Sequence, residues 1–333
     1  MAAQTQMLPA EDWSPSKVTQ SEMDSLVAQG LLRPNPEEGP AWWVIPSAEH
    51  REPHPPEGYV VSFTRYHRMG LGVPPSRFMR GLAHHFEVEL QHFSPNSISH
   101  AAIFAAVCEG YLKMEPHWEM FVHLFRGELF IKALKPSGRR PVRMGSLAIT
   151  ARAGTSSANV PREYLRYKLS TNQAGWDDHW FYLRNEGGLL PQYTGRVLTQ
   201  RPEKWTWGVA ADRQRHLAPL MEMMKTLVDE KKLTVQAVIW AFHQRRVLPL
   251  ADRPLLMHEM GPQAHHEALN RSRMAEERLS RNEGVSRVSI TIQGPFVPEL
   301  SNLVAMAPDE GCLDLVNHPR VRLSRASDRK SVV

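Results

Sequence analysis

The sequence predicts a mainly α fold with a small β element, in which several helices surround one buried central helix. The segment Ser97 to Leu112, SISHAAIFAAVCEGYL, has apolar side chains around most of a 3.6-residue helix, and such a helix has to be buried. Apolar stripes at helical spacing flank it on both sides. The stripes consist of Phe78, Met79, Leu82 and Phe86 before it, and of Trp118, Phe121, Val122, Phe125 and Leu129 after it.

Five parts are predicted along the chain. They are an N-terminal helix and Pro-rich strap (1–58), a helical core (59–135), a basic flexible linker (136–160), a second, smaller α+β piece (161–260), and a charged helix with a poorly ordered tail (261–333). The linker is assigned because its sequence is rich in Gly, Ser, Pro and Arg. The helix in the last part is predicted to be solvated because 262–281 is charged and has few apolar residues, and the last forty residues are predicted to be poorly ordered.

The N-terminal part begins with a helix that has its own start and stop signals. Thr19 and Glu22 have the spacing of a capping box, and Gly30 stands where a left-handed residue commonly ends a helix. Repeated prolines between residues 33 and 57 then exclude a helix and indicate an extended strap. A short helix is predicted over Ser62 to Met69.

Three further helices are predicted in the core, with starts at Ser76, at Asn96 or Ser97, and at Pro116. The connection from Glu87 to Ser94 is longer than the three- to four-residue turn of a DNA-reading helix-turn-helix, so the core does not read as a groove-binding module.

The second piece is predicted to open with a β-hairpin made from YLRYKLS and HWFYLRN. Two helices follow, beginning at Pro219 and Thr234. Beyond them the sequence predicts a solvated helix over 262–281 and a lone strand at Val288 to Ile292.

Composition favours an intracellular, soluble protein. The chain is 42% hydrophobic and 23% charged, no apolar run approaches the roughly 20 residues that cross a bilayer, and the first residues lack the basic and apolar regions of a signal peptide. Cys108 and Cys312 are the two cysteines, which indicates no disulfide framework and a reducing compartment.

Positive charge is concentrated locally, although the net charge is only +5. The stretch from Leu134 to Arg152 has five basic residues and no acidic one. Such a stretch is either an ordinary solvated linker or a sequence-independent contact to nucleic-acid phosphates and an import signal. The candidate nucleic-acid-binding residues are Lys135, Arg139, Arg140, Arg143 and Arg152.

Metal and cofactor chemistry is not indicated. The histidine pairs lack two imidazoles at i, i+4 with a third ligand in reach, and no cysteine pair has zinc-finger spacing, so we expect no stoichiometric zinc in protein purified without chelator. No membrane partner and no small-molecule ligand is indicated either.

Catalytic signatures are missing from the sequence as well. It lacks the motifs of aspartic proteases, polymerases, P-loop enzymes and serine hydrolases. Asp177, Asp178 and Glu109 are read as turn or helix-edge residues rather than as metal-binding carboxylates.

The tryptophans that could stack on bases are read as packing residues, since they stand away from the arginine clusters in sequence. They are Trp42, Trp43, Trp205 and Trp207.

Several motifs resemble the plant gypsy-type transposon domain, a transposase-like family, over about Val18 to Leu250. They are GLGVPPSRF, LQHFSPNSISH, AAIFAAVCEGYLKMEPHWEMF, HWFYLRNEGGLLPQYTGR and VIWAFHQRRVLPL. The resemblance implies an origin in a retrotransposon.

The function hypothesis is therefore a non-catalytic, element-derived protein that acts by association, either with nucleic acid or with copies of itself as a Gag protein does. The alternatives are a transposase or integrase relative with three carboxylates that converge on metal, and a degenerate reading frame without a selected role.

Overall fold

A computed structural model describes residues 6–238 of the protein, apart from 30, 74, 113, 135–137, 155, 157–158, 161, 163, 168, 170–173 and 236. Within these residues no helix has both the length and the apolar character to span a membrane. The predicted stop at Gly30, the charged helix over 262–281, the strand at Val288 to Ile292 and the tail lie outside the described residues.

Six α-helices and eight β-strands lie in the described part of the chain. The helices are α1 (Gln20–Ala28), α2 (Thr64–Arg68), α3 (Arg77–Phe86), α4 (Pro95–Val107), α5 (Trp118–Leu124) and α6 (Ala211–Asp229). The strands are β1 (Gln6–Met7), β2 (Trp43–Val44), β3 (Tyr59–Phe63), β4 (Phe125–Leu129), β5 (Ile131–Leu134), β6 (Gly138–Pro141), β7 (Leu147–Ala151) and β8 (Trp180–Arg184). A π-helical turn, Cys108–Leu112, extends α4.

The strands form three small sheets, so the fold is α+β and the prediction of a mainly α protein is wrong. The sheets have the orders β1-β6-β5, β2-β8-β3 and β4-β7. Neighbouring strands are antiparallel except β1 and β6, which are parallel. Most of these strands pair with partners far away in sequence, as β1 does with β6. Their stability therefore comes from tertiary packing, which local propensity does not reveal.

The predicted hairpin in the second piece is also wrong. β8 lies between β2 and β3, with Trp180 opposite Phe63 and Arg184 opposite Tyr59. The described residues of the YLRYKLS segment are not in a strand.

The buried apolar residues from Trp13 to Val238 form one cluster. The five-part division of the chain stays a prediction.

Two helix starts, those of α1 and α3, agree with the capping signals in the sequence. The Thr19 hydroxyl accepts a hydrogen bond from the Glu22 amide at 3.2 Å, and the Ser76 hydroxyl accepts one from the Met79 amide at 3.0 Å. α4 begins at Pro95, with Ser94 as its cap. Each cap satisfies an amide that has no partner inside its helix, so local sequence sets these boundaries.

Four starts differ from the prediction. α2 begins at Thr64 rather than at Ser62, which belongs to β3, and α4 begins at Pro95 rather than at Asn96 or Ser97. α5 begins at Trp118, because the His117 ring accepts a hydrogen bond from the Met120 amide. α6 begins at Ala211 and contains Pro219 inside the helix. A proline removes one backbone hydrogen bond of the helix and crowds one carbonyl. The apolar stripe of α6 lies on both sides of it, with buried Leu217 before the proline and buried Met221 and Met224 after it.

The central helix is buried, as predicted for Ser97 to Leu112. Phe104 on α4 has no exposed surface. Its ring packs against Phe78, Phe121 and Phe125, with centroid distances of 5.5, 5.2 and 6.2 Å. Aromatic rings from α3, α5 and β4 therefore meet at this one side chain and form the centre of the core.

Candidate nucleic-acid interface

The basic segment expected to be a flexible linker contains two strands. β6 holds Arg139 and Arg140, and β7 ends one residue before Arg152. Leu147 and Ile149 of β7 are buried in the core. Lys135 lies outside the described residues. The arginines therefore have positions fixed by strand pairing.

Arg139 and Arg140 lie on opposite faces of their sheet, because successive side chains of a strand point to opposite sides. Arg140 is directly across from Lys132 of β5, whereas Arg139 is across from Ala133 and also from Met7 of β1. Arg139, Ala133 and Met7 are all exposed. The two neighbouring arginines thus belong to two different surfaces.

One acidic side chain is paired with this sheet. The Lys132 ammonium lies 2.9 Å from a Glu11 carboxylate oxygen, and both side chains are about half exposed, at 47% and 41%. The structure shows no ion pair for Arg139 or Arg140 with any described residue. We refer to Lys132 and Arg140, which lie opposite each other on one face, as the basic sheet.

Arg143 holds the N-terminal segment against this sheet. Its Nε donates to the Glu11 carbonyl at 3.1 Å. The Leu8 amide donates to the Arg139 carbonyl at 2.9 Å, and the Glu11 amide donates to the Pro141 carbonyl at 3.2 Å. Arg143 therefore has a structural contact that Arg139 and Arg140 do not have.

Arg152 is bound to backbone carbonyls from two parts of the chain. Its Nε donates to Val122 and Phe125 at 3.0 and 2.9 Å, and its Nη2 donates to Thr206 and Trp207 at 2.7 and 2.9 Å. Burial lowers the pKa of this guanidinium, and the nearby charges of Arg162 and Arg126 lower it further. Arg152 therefore connects the end of α5 to the segment that contains Thr206 and Trp207.

Three of the four tryptophans considered as base-stacking residues are packed, as predicted. Trp43 and Trp205 are buried, and their indole N–H groups donate to the carbonyls of Arg33 and Phe86. The guanidinium groups of Arg33 and Arg184 both lie over the Trp42 ring, at 4.4 and 4.8 Å from its centroid. Trp207 differs, since 62% of its surface is exposed.

The carboxylates considered for catalysis have other contacts. Asp178 forms an ion pair with Lys17 at 2.5 Å. Glu109 is buried in the π-helical turn after α4. Among the described residues there is no group of three His, Cys, Asp or Glu side chains arranged to hold a metal ion.

A buried polar network around Glu89 was missed in the sequence. One Glu89 carboxylate oxygen accepts hydrogen bonds from Gln91 Nε2 at 2.6 Å and from the Thr194 amide at 2.8 Å. The other oxygen accepts one from the Thr194 hydroxyl at 2.5 Å. Gln91 lies within the motif LQHFSPNSISH, which Glu89 immediately precedes, and Thr194 lies within the motif HWFYLRNEGGLLPQYTGR. Only folding brings these two motifs together.

His92 extends the same network. Its Nδ1 accepts a hydrogen bond from the Glu89 amide at 3.0 Å, and its Nε2 lies 2.8 Å from the Arg196 carbonyl, so Nε2 carries the proton and donates. Burial lowers the pKa of His92, which keeps the ring neutral. These hydrogen bonds attach the residues from Thr194 to Arg196 to the turn before α4.

Replacing Glu89 with glutamine is expected to destabilise the protein by about 1–3 kcal/mol. The glutamine amide group places a donor where the carboxylate accepts, so at least one of the hydrogen bonds that Thr194 and Gln91 donate to this side chain is lost. Denaturant unfolding measures the change. Glu57→Gln, at an exposed position, is the control and should change stability by less than about 0.5 kcal/mol. Equal stabilities of the two variants would contradict the role of the network.

Residues 60–128 match a family model described as "Putative gypsy type transposon". The chain therefore carries a gypsy-type transposon-related domain over this segment, and the resemblance in its motifs is confirmed there. No curated protein and no solved structure matches the chain. The matched segment runs from β3 through α4 to β4 and so includes the buried centre of the fold.

Proposed function

Since the chain carries a gypsy-type transposon-related domain, we propose that it is a retrotransposon-derived protein that acts without catalysis, by binding nucleic-acid phosphates through the basic sheet. Binding of this kind is independent of base sequence, because phosphate oxygens are the same at every nucleotide.

The observation that carries this proposal is the pairing of Lys132 with Arg140. Like charges directly opposite each other on neighbouring strands repel and destabilise the sheet. The Glu11 carboxylate offsets part of this repulsion through its ion pair with Lys132. A bound phosphate on the same face would offset the rest, so an anion is favoured where these two cations meet.

The position of the cations supports the same interpretation. β5 is an outer strand of its sheet, and Lys132 on β5 is exposed. Exposed lysines at a sheet edge also discourage edge-to-edge pairing of strands. Arginine adds a planar group with several donors, which suits bidentate contact to phosphate.

Self-association is the second candidate, and two exposed apolar residues favour it. Met7 at the outer strand β1 is 47% exposed, and Phe130 just before β5 is 53% exposed. An outer strand with apolar neighbours can pair with another copy of the chain. Sedimentation of the protein over a range of concentrations separates this candidate from nucleic-acid binding.

Nucleic-acid binding is tested by removing the paired cations. We expect Lys132→Gln/Arg140→Gln to bind a labelled 20-base-pair DNA duplex more weakly than the wild type at low salt, measured by fluorescence anisotropy. The control Arg51→Gln/Arg201→Gln removes two exposed arginines elsewhere, and its duplex affinity should be closer to that of the wild type. Arg139→Gln, on the opposite face, should have a smaller effect than the double variant.

Two results would contradict the proposal. One is the absence of wild-type binding to duplex DNA and to single-stranded RNA at low salt. The other is equal binding by the Lys132/Arg140 variant and the control, which would leave self-association as the function to pursue.

A further inference from the structure

Trp207 is an aromatic side chain that the fold holds in solvent. Its backbone amide donates to the Lys204 carbonyl at 3.2 Å, and its own carbonyl accepts from Arg152 Nη2 at 2.9 Å. Two residues earlier, Trp205 is buried, and its indole donates to the Phe86 carbonyl at 2.8 Å. The backbone is thus fixed on both sides of an indole that is 62% exposed.

Trp207 differs from the other three tryptophans considered as base-stacking residues. Its indole is exposed on a fixed backbone, whereas Trp43 and Trp205 are buried and Trp42 has two guanidinium groups over its ring.

Three arginines lie next to each other beside this position. Arg126 of β4 is opposite Thr150 of β7, and Arg152 follows two residues after Thr150, just beyond the end of β7. Arg162 Nη1 donates to the carbonyl of Ala153, the residue after Arg152. Arg126 and Arg162 are also the two residues whose charges lower the pKa of Arg152, after burial. Their proximity therefore follows from backbone pairing, from a hydrogen bond and from electrostatics.

Arg126 and Arg152 have different partners. Arg126 has an ion pair with Glu128 at 2.6 Å, and the two side chains are 46% and 39% exposed. Arg152 donates to neutral carbonyls rather than to a carboxylate in its four described bonds. Clustered guanidinium groups repel one another, and an anion near them relieves this repulsion.

We propose that Trp207, Arg126 and Arg162 form a binding site for single-stranded nucleic acid, in which one unpaired base stacks on the indole and a neighbouring phosphate contacts the guanidinium groups. The proposal rests on the proposed nucleic-acid association and adds a second surface with a different preference. An exposed indole face stacks with any base, but the bases of a duplex are already stacked on each other. Arg152 is a positioning residue here, because it holds the backbone of Trp207.

The test compares Trp207→Ala and Trp207→Phe with the wild type, using labelled 12-nucleotide single-stranded RNA, single-stranded DNA of the same sequence, and the corresponding duplex. We expect Trp207→Ala to weaken single-strand binding by about tenfold, since stacking of one base contributes about 1–3 kcal/mol. Trp207→Phe should retain part of the affinity, and duplex binding should not change. Phe130→Ala, which removes another exposed aromatic side chain, is the control.

A second pair of variants tests the phosphate contact. Arg126→Ala/Arg162→Ala should weaken binding to single strands and lower its salt dependence, by comparison with Arg51→Ala/Arg201→Ala. Thermal unfolding of each variant checks that the fold is retained. Arg152 is left unchanged in these variants, because its hydrogen bonds support the fold.

The outcomes separate this site from the basic sheet. Single-strand binding that depends on Trp207 but not on Lys132 and Arg140 would support this site. The proposed role of the basic sheet fails separately, if duplex binding is unchanged by the loss of Lys132 and Arg140. The inference is overturned if Trp207→Ala binds single strands as tightly as the wild type, or if it loses duplex and single-strand affinity equally.

Discussion

Replacement of Phe104 by aspartate is expected to unfold the protein. Phe104 has no exposed surface, and its ring contacts three other phenylalanines. Removing a buried phenylalanine ring costs about 3–5 kcal/mol, and a buried carboxylate without a partner adds several more. The total approaches the whole stability of an ordinary domain, which is about 5–15 kcal/mol. Circular dichroism and thermal unfolding of the variant measure the effect.

Phe130→Asp is the matched control for this prediction. Phe130 is 53% exposed, so an aspartate there stays in contact with water and should leave the unfolding temperature nearly unchanged. If Phe104→Asp unfolds at the same temperature as this control, then α4 is not the enclosed centre of the fold.

Replacement of Trp205 by alanine is expected to destabilise the protein by about 3–5 kcal/mol. The indole is 1% exposed, packs edge-on against Phe86 at 5.9 Å, and donates to the Phe86 carbonyl. The Trp205 Cβ atom would lie 3.2 Å from a Cβ atom added at Gly127 of β4, so Trp205 packs closely against that strand. The variant therefore leaves a cavity and an acceptor without its donor. Denaturant unfolding measures the loss.

Trp207→Ala is the corresponding control, because it removes the same side chain at an exposed position two residues away. It should unfold at nearly the wild-type denaturant concentration. If the two tryptophan variants have equal stability, then the segment from Trp205 to Trp207 is not attached to the core by Trp205, and the fixed position of the Trp207 indole loses its support.

Local sequence was sufficient for the features that depend on neighbouring residues. The caps at Thr19 and Ser76 were predictable, because a hydroxyl side chain and an amide three residues later make the hydrogen bond. The buried central helix was predictable from the apolar residues around its circumference.

The sheets could not be predicted in the same way, because their strands form through contacts between distant segments. β6 has the sequence GRRP, which has low strand propensity, and it becomes a strand between β1 and β5. β8 was recognised as a strand, but its partners β2 and β3 lie more than a hundred residues earlier. Local patterns give no register for such pairs.

In the candidate sites, too, local features were predictable from the sequence and contacts between distant segments were not. The basic segment was recognised from its charge, but the separation of Arg139 from Arg140 follows from strand geometry. Arg152 was grouped with the phosphate-binding residues, whereas in the fold it holds the carbonyls of Thr206 and Trp207. Trp207 was read as a packing residue because it is far from the arginines in sequence. The structure places it beside one.

The salt dependence of duplex binding tests the central claim most directly. On duplex DNA, each neutralised phosphate contributes about 0.9 to the slope of log affinity against log salt concentration. If Lys132 and Arg140 each contact a phosphate, their double variant should lower the magnitude of this slope by about two units, and the Arg51/Arg201 control should retain the wild-type value. A slope unchanged by the loss of Lys132 and Arg140 would contradict the claim that the basic sheet binds nucleic-acid phosphates.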